Sequence, residues 1–383
     1  MRTTITERLG IQQPLLAFSH SEQVVAAVSR AGGLGVLGAG NCSVEHLDEK
    51  LTWLGRQLGD IPFGIDLLLP GRYEAADQGG LDREQLVAQV PEEHRRFVRE
   101  LLESRSVPEL AEGHSFGDIV DGGRMAIVGN HTYTARDTQP LIDACLASKA
   151  TLFANALGVA PAEVIDAFHA KGVPVAGLAG TPRHGEKQRE AGTDIVIAQG
   201  YEAGGHTGDI GSMVLIPDMV DAVGDLPVLA AGGIASGRQM AAAMVLGASG
   251  VWTGSAWLTT EESETGPGVR DRFVAARASD TVRSRASTGK PARQLRSGWT
   301  QAWEQGELEP LGMPHQGILY AESQVRLFRA ADEGHPGATE LVTYYVGQVV
   351  GRLNEVRPAA DVYREIVTEC DEILGRGVAL ADR

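Results

Sequence analysis

The sequence predicts an α/β fold, a (β/α)8 TIM barrel with a helical insertion and a C-terminal, mostly helical cover. Three observations carry that reading. Eight short apolar runs alternate with amphipathic segments of ten to fifteen residues, the rhythm of repeated βα units. The runs are apolar on both faces, as strands must be when side chains pack inside a closed sheet and helices cover its outside. Finally, 48 of the 383 residues are glycine, nearly twice the usual ~7%, with no G-X-Y period, so the excess serves turns and close backbone approaches.

In chain order the strand runs are Pro14 to Phe18, Gly33 to Gly38, Pro62 to Leu69, Ala150 to Gly158, Val173 to Gly180, Thr193 to Gly200, Leu226 to Gly233 and Ser249 to Ser255. Helical patterns lie between them, among them SEQVVAAVSRAGG, SVEHLDEKLTWLGRQLGD, PAEVIDAFHAKG and SGRQMAAAMVLG. In the last of these Ser236 is placed to cap the N-terminus and Gly247 to end the helix. The charged, helix-patterned stretch 71–121 interrupts the rhythm between the third and fourth strands and reads as an insertion. Residues 1–260 are therefore expected to form the barrel. Residues 261–383, ending in the amphipathic ADVYREIVTECDEILGRG, are expected to pack on it and on the substrate pocket.

Composition excludes several functions. A net charge of −16 opposes nucleic acid or an anionic membrane as the main partner, because the attraction that drives both would be repulsive on average. The three cysteines, Cys42, Cys145 and Cys370, fit neither a disulfide framework nor a zinc-ligand spacing. MRTTITERLGIQQPLLAF has charges where a secretory signal needs an apolar stretch, and no apolar run approaches the ~18 residues of a membrane span. The expectation is a cytoplasmic protein acting on a small molecule, with a homo-oligomer compatible with it. There is no G-x-S-x-G elbow, H-E-x-x-H or Cys/His cluster to support hydrolysis by an activated serine or by zinc.

The chemistry concentrates at two places. AQGYEAGGHTGDIG, Ala198 to Gly211, follows the sixth strand and holds His206 among five glycines. Active sites of barrels lie at the C-terminal strand ends, and an imidazole suits proton transfer near neutral pH. The second place is Leu226 to Leu258, where one strand runs into Gly232-Gly233 and a helix N-terminus, and the next into Thr253-Gly254-Ser255. Loops after the seventh and eighth strands commonly form a phosphate site in barrels. Arg238 and Gln239 stand where a Walker A loop needs Lys and Ser/Thr, so a P-loop is excluded. A phosphate site, a glycine-lined flat cavity and one placed histidine suggest a phosphorylated redox cofactor, best matched by flavin mononucleotide (FMN).

At these residues the sequence resembles the nitronate monooxygenase family, formerly called 2-nitropropane dioxygenases, which includes flavin enoyl-ACP reductases and some NAD(P)H:quinone reductases. The resemblance rests on AQGYEAGGHTG, VLAAGGI, GASGVWTGS followed by LTTEES, the early AGGLGVLGAG, and NEVRPA. It implies an FMN-binding TIM barrel with His206 as catalytic base beside the flavin. Gly232, Gly233, Gly254 and Ser255 would hold the phosphate, Gln199, Gly204 and Gly205 would lie along the cofactor, and Gly347-Gln348 would lie near the pocket. The chain departs from the family pattern in three places. LLAFSHS replaces QAPM, putting Ala17, Phe18 and Ser19 under the flavin; PFGIDL replaces PFGVNL, putting Asp66 where a flavin-contacting Asn is expected; and GSAW replaces GTRF, losing an arginine. No metal is expected. The implied activity is oxidation of alkyl nitronates by molecular oxygen to a carbonyl compound and nitrite, with NAD(P)H-dependent reduction of a quinone or enoyl thioester as the alternative.

Overall fold

The computed structural model describes residues 1–40, 42–69, 83–110 and 135–375. Eight parallel strands close into a barrel in the order β1-β2-β3-β4-β5-β6-β8-β9, with β1 pairing β9. They are β1 (Leu15–Ser19), β2 (Leu34–Gly38), β3 (Gly64–Leu67), β4 (Leu152–Asn155), β5 (Val175–Ala179), β6 (Ile195–Gln199), β8 (Val228–Ala231) and β9 (Gly250–Thr253). Seven lie inside the expected apolar runs, and β1 extends one residue past the first, to Ser19.

Alternation along each strand sorts the side chains into two cores. Leu16, Leu34, Val36, Leu152, Ile195, Ile197 and Leu229 fill the inside, where Ile5 and Leu9 of α1 (Thr4–Leu9) join them. Leu15, Ala17 and Val251 face outward, where Val24 and Val28 of the helix after β1 pack against them. Complete burial of a leucine contributes about 1.5–3 kcal/mol.

The covering helices are α2 (Glu22–Arg30), α3 (Val44–Leu58), α6 (Ala135–Ala147), α7 (Ala162–Ala170), α8 (Pro182–Glu190), α9 (Ser212–Val223) and α10 (Gly237–Val245). Ser21, Ser43, Thr181 and Ser236 cap four of them by accepting a backbone N–H, worth about 1 kcal/mol each. The eighth covering helix is the last among the described residues. α15 (Ala359–Gly375) packs through Tyr363, Ile366 and Cys370 into the same cluster as Met240 of α10 and Val24 of α2, and so completes the ring.

The described part of the insertion is helical, with α4 (Arg83–Ala88) and α5 (Glu92–Ser104); residues 71–82 and 111–121 of the proposed insertion lie outside the described residues. Both helices share one hydrophobic cluster with the chain after the barrel. Leu86, Val98 and Leu102 pack with residues of α11 (Pro267–Ala275), α12 (Gly298–Gln305), α13 (His315–Asp332) and α14 (Pro336–Leu341), including Phe273, Trp299, Leu327 and Leu341. A small antiparallel sheet, β10 (Thr281–Ser284), β11 (Ala292–Leu295) and β7 (Gly205–His206), ties this cover to the loop after β6. Among the described residues no helix is long and apolar enough to cross a membrane.

The barrel wall leaves no room at Gly35 in β2, where an added Cβ would lie 2.2 Å from Val25 O and 2.5 Å from Val25 Cα of α2. Both atoms are backbone, so the helix itself must move. Gly35→Ala is expected to destabilise by about 1–3 kcal/mol, read as a lower midpoint in chemical denaturation, and an unchanged midpoint would show that α2 yields freely.

Candidate active site

The strand ends, the cover and α4 enclose a cavity of about 880 Å³ at the C-terminal mouth of the barrel. Phe18, Ser19, Asp66 and Gln199 line it from the strands, Gly204, Gly205 and His206 from the loop after β6, and Gly232, Gly233, Gly254 and Ser255 from the turns after β8 and β9. Gly347 also lines it, while Gln348 anchors the adjoining backbone by donating its N–H to Glu202 O at 2.9 Å. Ala17 does not reach the cavity. It is fully buried in the cluster between barrel and helices, because side chains alternate along β1 and its neighbours Leu16 and Phe18 take the inward direction.

The glycine loop is held by backbone contact on several sides. Gly200 N–H donates to Ala231 O at 2.9 Å, and a Cβ at Gly204 would meet Val346 C at 2.8 Å and Gly347 N at 2.9 Å. Gly347 N–H in turn donates to Ser255 Oγ at 2.8 Å. His206 sits in β7 opposite Ala292, exposed toward the cavity. Its Nε2 lies 2.8 Å from Thr288 Oγ1. Because the Thr288 hydroxyl donates to Lys290 O at 3.2 Å, its oxygen is the acceptor of the imidazole N–H. That arrangement puts the proton of neutral His206 on Nε2 and the lone pair on Nδ1.

Gly232 and Gly233 take positive φ, 94° and 73°, which turns successive amides around a tight corner. The helix that follows does not add its N-terminus to this corner as expected from the sequence. Ser236 caps α10 by accepting Gln239 N–H, Arg238 N–H donates to Glu369, and a Cβ at Gly237 would meet Cys370 N at 2.4 Å. The docked α15 occupies that end. An anion would therefore be held by the amides of the two turns; no arginine lines the cavity among the described residues.

Four residues that carry no motif also shape the cavity. His20 lines it and donates from Nδ1 to Gly38 O at 2.7 Å; burial, with the Lys50 ammonium nearby, pushes its pKa down to about 4 despite that bond, so the ring is neutral. Lys50, buried beside this wall, donates to His20 O at 3.1 Å, to Glu22 at 2.7 Å and to Glu264. Burial raises the Glu264 carboxyl to about 7, with Lys50 opposing the rise. Tyr345, whose ring lies 6.3 Å from that of His206, lines the cavity with a buried hydroxyl that has no partner among the described residues. His20 belongs to the LLAFSHS segment already singled out, whereas the sequence held no signal for Lys50 or Tyr345, whose neighbours in space are remote in the chain; Thr288 lies in the TGKPAR stretch, whose glycine and proline mark a loop.

Several features fit a flat phosphorylated cofactor. Buried Asp66 Oδ2 and Tyr345 Oη wait for partners, and Gly205 has nothing within 4 Å of where a Cβ would stand. Among the described residues no group of three or more His, Cys, Asp or Glu could hold a metal ion.

The chain matches the model of a family described as nitronate monooxygenase over residues 2–369. It is 48% identical over 384 residues, covering 100% of both chains, to a "Putative monooxygenase" of Mycobacterium tuberculosis. It is 30% identical to a "Probable nitronate monooxygenase" of Staphylococcus saprophyticus, covering 98% of this chain and 99% of that one. Among solved structures it resembles nitroalkane oxidase from Streptomyces ansochromogenes, with TM-score 0.77, 26% identity and coverage of 97% and 99%. FabK from Thermotoga maritima is also similar, with TM-score 0.72, 26% identity and 98% coverage of each chain.

A substitution at Gly232 or Gly233 would be strained by its φ alone, so it cannot isolate the turn's role. Gly254 can, since its φ is −121° and an added Cβ meets only Phe18 Cδ1, at 3.8 Å. Gly254→Val is expected to melt as the parent does and to retain much less of the FMN expected at this turn, measured by flavin absorbance per protein. Undiminished flavin would remove the turn from the cofactor's seat.

Proposed function

Because the chain belongs to the nitronate monooxygenase family, we propose that it binds FMN in this cavity and oxidises alkyl nitronates with molecular oxygen. Two nitronates and one oxygen molecule balance two carbonyl compounds and two nitrites. The observation that carries the reading is the convergence on one cavity of the two glycine turns, His206 and the unpartnered Asp66 and Tyr345. Bound FMN would supply the acceptor of electrons from the nitronate and the route to oxygen.

The protein's own residues then have separable roles. The amides of Gly232, Gly233, Gly254 and Ser255 would hold the phosphate, with Gln199, Gly204 and Gly205 along the ring system. His206 Nδ1 would take the α-proton of a neutral nitroalkane, while Thr288 holds the imidazole in the tautomer that leaves this nitrogen basic. Leu86, Leu157, Leu178, Met313 and Val349 give the remaining wall an apolar character, which excludes water and suits an alkyl substrate.

Two measurements test the reading. The purified protein should show a flavin spectrum, and the released chromophore should be FMN. Under anaerobic conditions nitronate should bleach it, whereas rapid bleaching by NAD(P)H alone would move the activity to the reductase alternative.

A nitronate has already lost its α-proton, so only the neutral nitroalkane needs a base. His206→Asn is expected to keep FMN, lose roughly 10²–10⁴-fold in turnover of neutral nitroalkanes, and retain far more activity on preformed nitronates. Thr288→Val should lower nitroalkane turnover by less and leave nitronate turnover nearly unchanged. Equal losses on both substrate forms in steady-state assays would assign His206 to binding instead of proton abstraction.

A further inference from the structure

Asp66 is a carboxyl group without a counterpart. It is 2% exposed, at the C-terminal end of the barrel on the cavity wall, and its Oδ2 has no hydrogen-bond partner among the described residues. The strands beside it bring no ionisable group, since its register partners are Gly38 on β2 and Ala154 on β4. Neighbouring donors are committed elsewhere. The Asn155 amide donates to Leu69 O and Gly158 O, and the three protons of Lys50 go to His20 O, Glu22 and Glu264. The other ionisable groups of the cavity wall are His20, which is neutral, Glu264, His206, Lys290, Tyr344 and Tyr345.

An ionised carboxylate in such a place, lacking both a cation and a donor, is far costlier than a neutral acid. Burial alone raises the Asp66 pKa well above its usual value. The acid proton then needs an acceptor of its own in a dry wall.

We propose that Asp66 is held as a neutral carboxylic acid and donates its proton in a hydrogen bond to the isoalloxazine edge of the bound flavin. This rests on the flavin reading of the cavity and is independent of which substrate is oxidised. An isoalloxazine edge alternates carbonyl oxygens with a ring N–H. A neutral carboxyl meets such an edge with one donor and one acceptor, as a primary amide does. The aspartate can therefore stand where the family pattern has asparagine, with the donor kept and no negative charge set against reduced flavin.

The sign of the linkage gives a test that needs no flavin. With a folded pKa above the unfolded one, the stability tied to this carboxyl is complete below the usual value of 3.8. It falls as pH rises from there toward the folded pKa. The stability of the apoprotein relative to Asp66→Asn should thus decline steadily from about pH 4 to neutrality.

Infrared spectra of apoprotein and FMN-loaded protein, with ¹³C-labelled aspartate, read the proton directly. At pH 7 the apoprotein should show a protonated-carboxyl band that Asp66→Asn lacks, and FMN should shift it to lower frequency. Asp66→Asn should keep FMN and a reduction potential close to the parent's. Asp66→Leu should fold, bind FMN roughly ten- to hundredfold more weakly, and lower the potential. Absence of the band, or a raised potential in Asp66→Asn, would mean a carboxylate and overturn the proposal. A band that ignores FMN, together with parent-like affinity in Asp66→Leu, would overturn the donor role. A parent protein that binds no FMN overturns both this and the flavin reading, whereas a shifted band in a protein inert toward nitronates overturns only the substrate.

Discussion

The site depends on backbone lying against backbone at the mouth of the barrel. The loop after β6 must pass between the turn after β8 and the segment around Gly347, at distances that leave no space for a side chain. A Cβ at Gly232 would stand 3.0 Å from Gly200 O, one at Gly208 2.7 Å from Gly180 O, and one at Gly347 2.7 Å from Glu202 O. These contacts fix the path of residues 200–208, and through it the place of His206. The glycine excess in the composition is the chemical form of that constraint. Its entropic cost is offset by a loop clamped on both sides by hydrogen bonds, among them Tyr201 N–H to Ile210 O at 2.8 Å and Gln348 N–H to Glu202 O at 2.9 Å.

The ionisable groups in and beside the cavity answer burial in different ways. Lys50 has a full set of acceptors, including two carboxylates, so the buried ammonium is compensated and joins α2, α3 and the loop after β9. Asp66, beside Gly38 on the next strand, has no such partner, and neutralising itself is the inexpensive alternative. His206 escapes both conditions. It is exposed and held through Nε2 by Thr288, as the proposed role of a base requires. In and beside one cavity there are thus a paired charge, a carboxyl group without a partner and an exposed imidazole.

The legibility of the sequence follows from how local each feature is. Strands buried on both faces and their capped helices leave a pattern within twenty residues, so all eight barrel strands could be read directly. The loop holding His206 and the turns at Gly232-Gly233 and Gly254-Ser255 were visible for the same reason, as dense glycines at strand ends. Ala17 was misplaced because a motif comparison carries no inside or outside, which strand alternation alone decides. The end of α10 was misread because its occupant, α15, lies more than a hundred residues further on. Thr288 and Tyr345 were missed because they reach the cavity from the cover, where no period relates them to the barrel.

The cavity draws its two halves from two different cores. Its floor consists of strand ends and turns whose positions are set by barrel closure. Its roof draws on Leu86 of α4, Tyr344 and Leu258, which belong to or pack on the cluster formed by the insertion and the cover. That cluster is distinct from the interior core of the barrel. Side chains of the roof therefore pack against α4, α11 and α13, and those of the floor against the barrel itself. This separation gives a physical reason why similar folds carry the names nitroalkane oxidase and FabK at 26% identity each. The half that would face the proposed flavin is constrained by the same geometry that makes the barrel, and the half that would face the substrate is built on the separate core of the insertion and cover.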